Sequence, residues 1–191
     1  GSAPEIGKVT EAPNTVTYVY RKVVAVETTT TTTGTVIVHY QDTEGNTIAR
    51  DETDTDKVVV STTVTKTEDG EVVSSETTPS GATYDTSDDH KPGKIEKEGS
   101  TYVLVPSKTV GLETGEVVEG TTEVTYVYQL AKGDVVVNYV DESGNPISGA
   151  ETGGNTSVKD EDQADTGKDY NTTDKRPDTI TTADGTKYTY V

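Results

Sequence analysis

The chain contains no cysteine, methionine, tryptophan or phenylalanine, and only 29% of its 191 residues are hydrophobic. Its only aromatic side chains are eleven tyrosines, so any core must be built from Val, Ile, Leu and Tyr. Large aromatic side chains normally supply much of the buried area of a domain. Thin cores are therefore expected, with stability drawn from backbone ladders and from contacts between neighbouring units in an elongated arrangement.

Basic charge is also scarce, since the formal net charge is −18. Nucleic-acid binding needs a basic footprint, so that function is excluded, and binding to an anionic membrane is disfavoured. Lack of cysteine usually indicates a reducing compartment, but a chain without Cys or Met also presents little to oxidise. No signal peptide or membrane span is evident and Gly1-Ser2 is typical of a cloning scar, so a piece of a longer polypeptide without membrane insertion is expected.

The chain repeats itself. Residues 34–48 and 133–147 are identical at eight of fifteen aligned positions and share the pattern V-x-V-x-Y-x-D-x-x-G-N-x-I. Further matches follow in the same order, namely 84–88 with 170–174, Pro92 with Pro177, Ile95 with Ile180, and 101–105 with 187–191. Self-similarity at this length is the signature of a tandem array of domains.

The alignment divides the chain into three parts. Residues 7–20 align without gaps with 115–128, so 1–33 is predicted to hold the scar, the closing strand of a preceding repeat and a Thr-rich linker. Residues 34–130 form a complete repeat, and 131–191 form a second, truncated one. The first copy is longer by about thirteen residues, which a β-hairpin inserted near 57–78 explains, because Asp69-Gly70 is a typical hairpin turn.

Side-chain alternation predicts β-strands. In Val36-x-Val38-x-Tyr40 the large apolar residues share one parity, while His39 lies on a mixed face and is expected to be an exposed strand residue. Asp42 and Gly45 then suit a turn, Asp at its first position and Gly at a positive φ. No stretch has a capped 3.6-residue apolar period, and at most a short helix fits residues 151–165. The fold class is therefore mostly β.

This ordered set of motifs resembles the MucBP (mucin-binding protein) repeats of cell-wall-anchored proteins of streptococci and lactobacilli. The resemblance covers residues 7–22 and 34–191. It implies tandem β-grasp-like (ubiquitin-like) domains of a Gram-positive surface adhesin that binds host mucin or other glycoproteins. It also implies an extracellular location, with a signal peptide upstream and a cell-wall anchor downstream of the fragment. A passive stalk that projects a separate adhesive head is the alternative function.

Catalytic chemistry is not predicted. The two histidines, His39 and His90, have no Cys, Ser or second His arranged for nucleophilic or zinc chemistry. Carboxylates cluster at 51–56, 85–89 and 160–162, and a solvated acidic surface is expected there because their spacing does not match a calcium-binding loop. No cofactor is expected, and calcium stays an alternative. Asn46, in the turn, is the one asparagine of the complete repeat, which disfavours a Lys–Asn isopeptide bond and leaves a Lys–Asp bond open.

Two tyrosines are the candidate glycan contacts, because aromatic faces stack on sugars. Tyr84 and Tyr170 occupy loop-like blocks, whereas most other tyrosines lie on the predicted core face. Packing explains their recurrence equally well. A monomer is expected in solution, with end-to-end contacts between the incomplete repeats of neighbouring copies as an alternative.

Overall fold

The computed structural model describes all residues, Gly1–Val191, and is mostly β, with no α-helix. Its twelve strands are β1 (Ala25–Asp42), β2 (Thr47–Glu68), β3 (Glu71–Pro79), β4 (Thr83–Asp85), β5 (Lys94–Lys97), β6 (Ser100–Leu104), β7 (Thr114–Glu116), β8 (Gly120–Leu130), β9 (Lys132–Asn138), β10 (Ser157–Asp165), β11 (Thr179–Thr181) and β12 (Lys187–Thr189). The mostly-β prediction is confirmed. In the region proposed for a short helix there is one 3-10 turn, Ala150–Thr152, followed by β10.

The chain divides into two compact units. Residues 1–32 and 59–80 form unit 1, and residues 33–58 and 81–191 form unit 2. The long strands β1 and β2 contribute one part to each unit. The six threonines Thr28–Thr33, predicted to be an extended joint, are extended but lie within β1 as part of a sheet.

Unit 1 is a polar ribbon in the order β3-β2-β1 and contains none of the buried hydrophobic residues. Its β2–β3 hairpin closes through Asp69 and Gly70, whose φ angles of 50° and 83° are those of a type I′ turn. Hydroxyl pairs such as Thr63–Thr77 cross between the strands. Ladders and cross-strand pairs therefore hold this ribbon, because it has no core.

The N-terminal segment of unit 1 is attached to the hairpin at one place and lies outside every strand at another. Arg21 donates two hydrogen bonds to the carboxylate of Asp69, at 2.9 and 2.8 Å, and so attaches the N-terminal segment to the hairpin turn. Just before it, Val16–Tyr20 lies outside every strand, with Tyr18 and Tyr20 60% and 87% exposed. The predicted closing-strand sequence is therefore present but unpaired.

Unit 2 contains most of the predicted complete repeat, 34–130, and all of the predicted second repeat, 131–191. In residues 34–130 the strand order is β2-β1-β8-β6-β5, and the first and last strands of the repeat pair in parallel from Gly34 with Gly120 to Asp42 with Tyr128. The core lies on one face of these strands, where Val36, Val38, Val124, Tyr126 and Tyr128 are 0% exposed. The core face predicted from alternation is confirmed.

Tyrosine hydroxyls complete this core instead of being left buried without partners. Tyr40 and Tyr128 donate to the carbonyl oxygens of His90 and Pro92, each at 2.7 Å. The Tyr126 hydroxyl lies 2.7 Å from the hydroxyl of fully buried Thr86. Buried polar groups are stable only when paired, and here each pairing also fixes the 85–92 loop over the core.

The second repeat has the same strands up to a point. β9 pairs with β10 and β11 pairs with β12, which are the counterparts of β1–β2 and β5–β6. A smaller core joins Tyr139, Ile147 and Ile180. Residues 131–191 contain no counterpart of β7 or β8, so β9 and β12 each have one unpaired edge.

Candidate functional site

Tyr84 lies inside the complete repeat. It is 8% exposed, on β4, which pairs with β7. Its hydroxyl donates to the Leu112 carbonyl oxygen at 2.9 Å, and its ring lies 3.4 Å from the position that a Cβ on Gly115 would occupy. The ring face is therefore covered by the closing segment of its own repeat, which leaves no surface for a sugar to stack on.

Tyr170, the aligned residue of the second repeat, is 64% exposed. The difference has a physical cause, because β7 covers Tyr84 and residues 131–191 have no strand in that place. Tyr170 lines a shallow cavity of about 130 Å³ beside Asp134 and Lys168. Its exposure therefore reports an uncovered packing position as much as a ligand surface.

A larger groove, of about 760 Å³, lies on the complete repeat. The end of β1, the start of β2 and the loop before β5 form it. Its lining combines aromatic and apolar side chains with charges of both signs: Tyr40, Ala49, Arg50, Glu52, Asp88, Asp89, His90, Lys91, Pro92 and Ile95. Sequence reasoning treated this acidic run only as solvated surface and missed the groove.

The two permanent cations of the groove, Arg50 and Lys91, differ in how firmly neighbouring groups hold them. Arg50 is 89% exposed at its side chain, with Glu52 at 3.4 Å. Lys91 is held by Glu113 at 2.6 Å and lies 5.6 Å from the centroid of the Tyr126 ring. One sequence signal could have identified this place, because a cation directly before proline recurs, as Lys91-Pro92 and Arg176-Pro177.

The second repeat has its own groove, of about 450 Å³. It is bordered by β9 on one side and by β12 and the residues after it on the other, and its floor is the small core. Its lining includes Val137, Tyr139, Ile180, Tyr188 and Tyr190. In the complete repeat, the space between the equivalent strands β1 and β6 is filled by β8.

His39 differs from the exposed strand residue that alternation suggested. On the face of β1 opposite the core, its ring is 23% exposed and touches Asp51 Oδ1 at 2.8 Å and Glu123 Oε1 at 3.1 Å. The hydrogen bond to Asp51, supported by Glu123, raises the pKa of His39 above its usual value. The three side chains link β2, β1 and β8 through hydrogen bonds, and none of them is a nucleophile such as Ser or Cys.

Metal chemistry finds little support in the geometry. No three His, Asp or Glu side chains converge on a point that could hold a metal ion. The carboxylates of the D-x-x-G-N turns are occupied instead, since Asp141 accepts hydrogen bonds from Ser143 N, Asn145 N and Asn145 Nδ2 at 2.9 to 3.0 Å. The bonds from Asn145 lower the pKa of Asp141.

The two repeats of unit 2 meet at a hydrogen-bonded joint. Ser100 Oγ donates to Thr166 O and Thr101 N donates to Thr166 Oγ1, both at 2.9 Å. Thr166 Oγ1 in turn lies 3.0 Å from Ala131 O. Gly167 approaches so closely that an added Cβ would lie 2.2 Å from Ser100 Oγ. Four residues from both repeats thus share one network.

Comparison with known proteins agrees with this structure. Muramidase-released protein of Streptococcus suis is 43% identical over 130 residues, which cover 68% of this chain and 8% of that protein. The chain thus spans less than a tenth of that relative's length. No helix of the protein is long and apolar enough to cross a membrane. The MucBP domain profile matches residues 1–21, 35–129 and 134–191, nearly the whole chain, and the chain therefore belongs to the MucBP domain family.

Proposed function

We propose that this chain is a repeat region of a bacterial surface adhesin, extracellular and attached to the cell wall through other parts of its protein, and that it binds host mucin glycans without catalysis. Membership of the MucBP family supports it. The relative's name says that a muramidase releases it, which fits a wall-associated protein. No convergent acid, base or nucleophile recurs in the two repeats, so a binding role fits better than an enzyme.

We further propose the division predicted from the alignment, with a complete repeat at 34–130, its inserted hairpin near 57–78, and incomplete repeats before and after it. Each long repeat is assigned a β-grasp-like topology in tandem. The support is the order β2-β1-β8-β6-β5, in which the first and last strands of the repeat are parallel neighbours in mid-sheet. A helix across the sheet, as in ubiquitin-like folds, has no counterpart here.

The observation that carries the binding proposal is the 760 Å³ groove of the complete repeat. Its carboxylates, Glu52, Asp88 and Asp89, outnumber its permanent cations, Arg50 and Lys91. Carboxylates accept and guanidinium groups donate hydrogen bonds in paired geometry, which suits the adjacent hydroxyls of a neutral sugar. A sialic acid or sulfate would meet like charge both here and across a chain of net charge −18.

Immobilised mucin tests this proposal in three forms: untreated, treated with sialidase and sulfatase, and stripped of O-glycans. We expect binding to persist or increase after the acidic groups are removed, because repulsion falls, and to disappear when the O-glycans are removed. Calcium should change little. Absence of binding in every form, at low and physiological salt, would refute the adhesive role.

A matched pair of variants locates the site. Arg50→Gln removes the exposed cation of the groove, and Lys108→Gln removes an exposed cation elsewhere on the same repeat. Each makes the net charge of −18 more negative by one unit. Binding should weaken about tenfold to 150-fold for Arg50→Gln, as expected when one charged hydrogen bond of about 1.5 to 3 kcal/mol is lost, and remain unchanged for Lys108→Gln.

Of the two tyrosines predicted to contact glycans, only Tyr170 has an accessible ring. We keep Tyr170 as an auxiliary contact of the second repeat. Tyr170→Ala should then weaken mucin binding less than Arg50→Gln does. Equal or greater weakening would move the main site to the second repeat.

The spacer function is supported by a different observation, the joint at Thr166. This network connects the start of β6 to the residue after β10. It limits the motion of successive repeats relative to each other, and a projecting stalk requires that limit. If mucin binding is negligible in all conditions while the joint is rigid, the chain is a spacer. Rigid spacing and glycan binding are compatible in one chain.

A further inference from the structure

Both histidines of the chain contact the same short stretch of β2. His39, on β1, lies 2.8 Å through Nδ1 from Asp51 Oδ1. His90, in the loop before β5, lies 3.7 Å through Nε2 from Asp54 Oδ1. Asp51 and Asp54 have opposite parity on the strand, so their side chains point to opposite faces of the sheet. One strand is thus held from both faces by side chains of the type that gains a proton between about pH 5 and 8.

The contacts of His39 are those of a protonated ring. Its second nitrogen, Nε2, lies 3.1 Å from Glu123 Oε1 on β8, so each ring nitrogen faces a carboxylate oxygen. An ionised carboxylate only accepts hydrogen bonds, and a neutral imidazole has one N–H to donate, whereas the imidazolium has two. When the ring is neutral, one nitrogen lone pair therefore faces a carboxylate oxygen and is repelled by it. Asp51 and Glu123 are the charged groups that contact the ring from β2 and β8.

Asp54 is a nearly buried carboxylate whose charged partner is His90. Its side chain is 12% exposed, and that of His90 is 22% exposed. Asp54 also accepts a hydrogen bond from the Thr55 hydroxyl at 3.0 Å. Burial of a carboxylate is costly without a cation beside it, so protonation of His90 stabilises this side of the strand. The other charged groups that line the groove beside His90 are Arg50 and Glu52 from β2, and Asp88, Asp89 and Lys91 from its own loop.

The same stretch of β2 forms one side of the 760 Å³ groove, to which it contributes Ala49, Arg50 and Glu52. Residues 47–58 are a sheet edge, because β1 is their one neighbour and β3 pairs with β2 only at residues 61–68. A segment with ladder hydrogen bonds on one side only opens more readily than a central strand. The contacts with the two histidines therefore influence how well this side of the groove is ordered.

We propose that this side of the groove is a pH-sensitive element, ordered at mildly acidic pH by protonation of His39 and His90 and loosened at mildly basic pH. The raised pKa of His39 agrees with this direction, since its charge is present at pH 6 and is lost as pH rises through the folded pKa. The effect on recognition rests on the proposed glycan-binding function. Arg50 is on the responding segment, so a ligand that binds it at basic pH must also order the segment.

Amide hydrogen exchange of the full chain at pH 6 and pH 8 tests the strand response without a ligand, with rates corrected for the intrinsic effect of pH. We expect the protection factors of residues 48–56 to fall about twofold to fivefold at pH 8, as for the loss of a partly exposed ion pair. The second repeat is an internal control, because residues 131–191 contain no histidine and Asn138 is aligned with His39. Protection of β10, the counterpart of β2, should not change. An equal change in β2 and β10, or none in β2, would overturn the proposal.

Variants assign the response to the two histidines. His39→Asn introduces the residue of the second repeat, and combined with His90→Asn it should make protection of residues 48–56 equal at pH 6 and pH 8. Asp51→Asn and Glu119→Gln form a matched pair, because each removes one carboxylate from the complete repeat and exposed Glu119 lies outside the contacts of both histidines. Asp51→Asn should reduce the pH response and Glu119→Gln should keep it. A full response in the double histidine variant would overturn the proposal.

Mucin treated with sialidase and sulfatase gives the readout on binding. The parent chain should bind about twofold to fivefold more strongly at pH 6 than at pH 8, and the double histidine variant should bind equally at both. Equal binding of the parent chain at the two pH values would overturn the regulation of the groove by pH. Absence of binding at either pH would refute the glycan-binding function instead, and hydrogen exchange then decides whether the strand responds.

Discussion

A pair of aligned glycines gives the sharpest test of how the two repeats differ. Gly34 starts the parallel pairing of β1 with β8. A Cβ built on it would lie 2.1 Å from the Val118 carbonyl oxygen and 2.6 Å from Val117 Cγ1. At Gly133, the aligned residue, the nearest atom is Thr166 Cγ2 at 4.0 Å. Alanine should therefore be tolerated at one position and not at the other.

The expected magnitude follows from what must move. The obstacle at Gly34 is backbone, so the segment at Val117 must shift by about 1 Å to reach ordinary van der Waals distance. Overpacking of this kind costs about 1 to 3 kcal/mol. For a repeat of about 100 residues that unfolds as one unit, 2 kcal/mol lowers the melting temperature by roughly 8 to 16 °C. Gly133→Ala instead should stabilise by up to about 1 kcal/mol, because the unfolded chain loses freedom.

Differential scanning calorimetry of both variants and the parent chain measures these shifts. The reasoning fails if Gly34→Ala melts with the parent, or if both substitutions destabilise equally.

Three further predictions concern single side chains. His39→Asn should lower the free energy of unfolding by at most about 1 kcal/mol near pH 6 and by less near pH 8. Because the pKa of His39 is raised in the folded protein, its contribution is present below about pH 6.5 and is lost as pH rises through the folded pKa. Urea unfolding at both pH values measures this, and an equal loss at the two would contradict it. Thr86→Val should cost about 1 to 3 kcal/mol by leaving the Tyr126 hydroxyl without its buried partner, which urea unfolding also measures, with no change counting against it. Thr166→Val should loosen the joint between the two repeats. We expect one alignment tensor to describe the residual dipolar couplings of both repeats in the parent chain, and two tensors to be needed in the variant. A single tensor in the variant would refute the role of the Thr166 hydroxyl.

The strand faces and turns were predictable because they depend on local rules. Alternation placed Val36, Val38 and Tyr40 in the core, and an Asp-Gly pair placed the hairpin turn at Asp69-Gly70. Both signals act over a few residues, through side-chain period and backbone φ. Alignment of the copies carried these assignments from one repeat to the next.

The groove and the His39 contacts could not be predicted in the same way. Arg50 and His90 are forty residues apart and meet only because β2 and the loop before β5 are brought together by β1. The difference between Tyr84 and Tyr170 is also non-local, because it depends on a third segment that covers one and not the other. Such contacts depend on the order of the strands in the sheet, which local patterns in a single sequence do not specify.

The parallel pairing of β1 with β8 has a mechanical consequence. The chain enters this pair at Gly34 and leaves it at Tyr128, at opposite ends of two strands that run in the same direction. A pull along the polypeptide therefore slides one strand past the other, and the bonds of all nine paired positions resist together instead of opening one at a time. The β2–β3 hairpin lies between these two strands in the chain, so the force does not reach it until the β1–β8 pair has separated. Residues 43–119 would therefore be released in one step, after the pair yields, and not strand by strand.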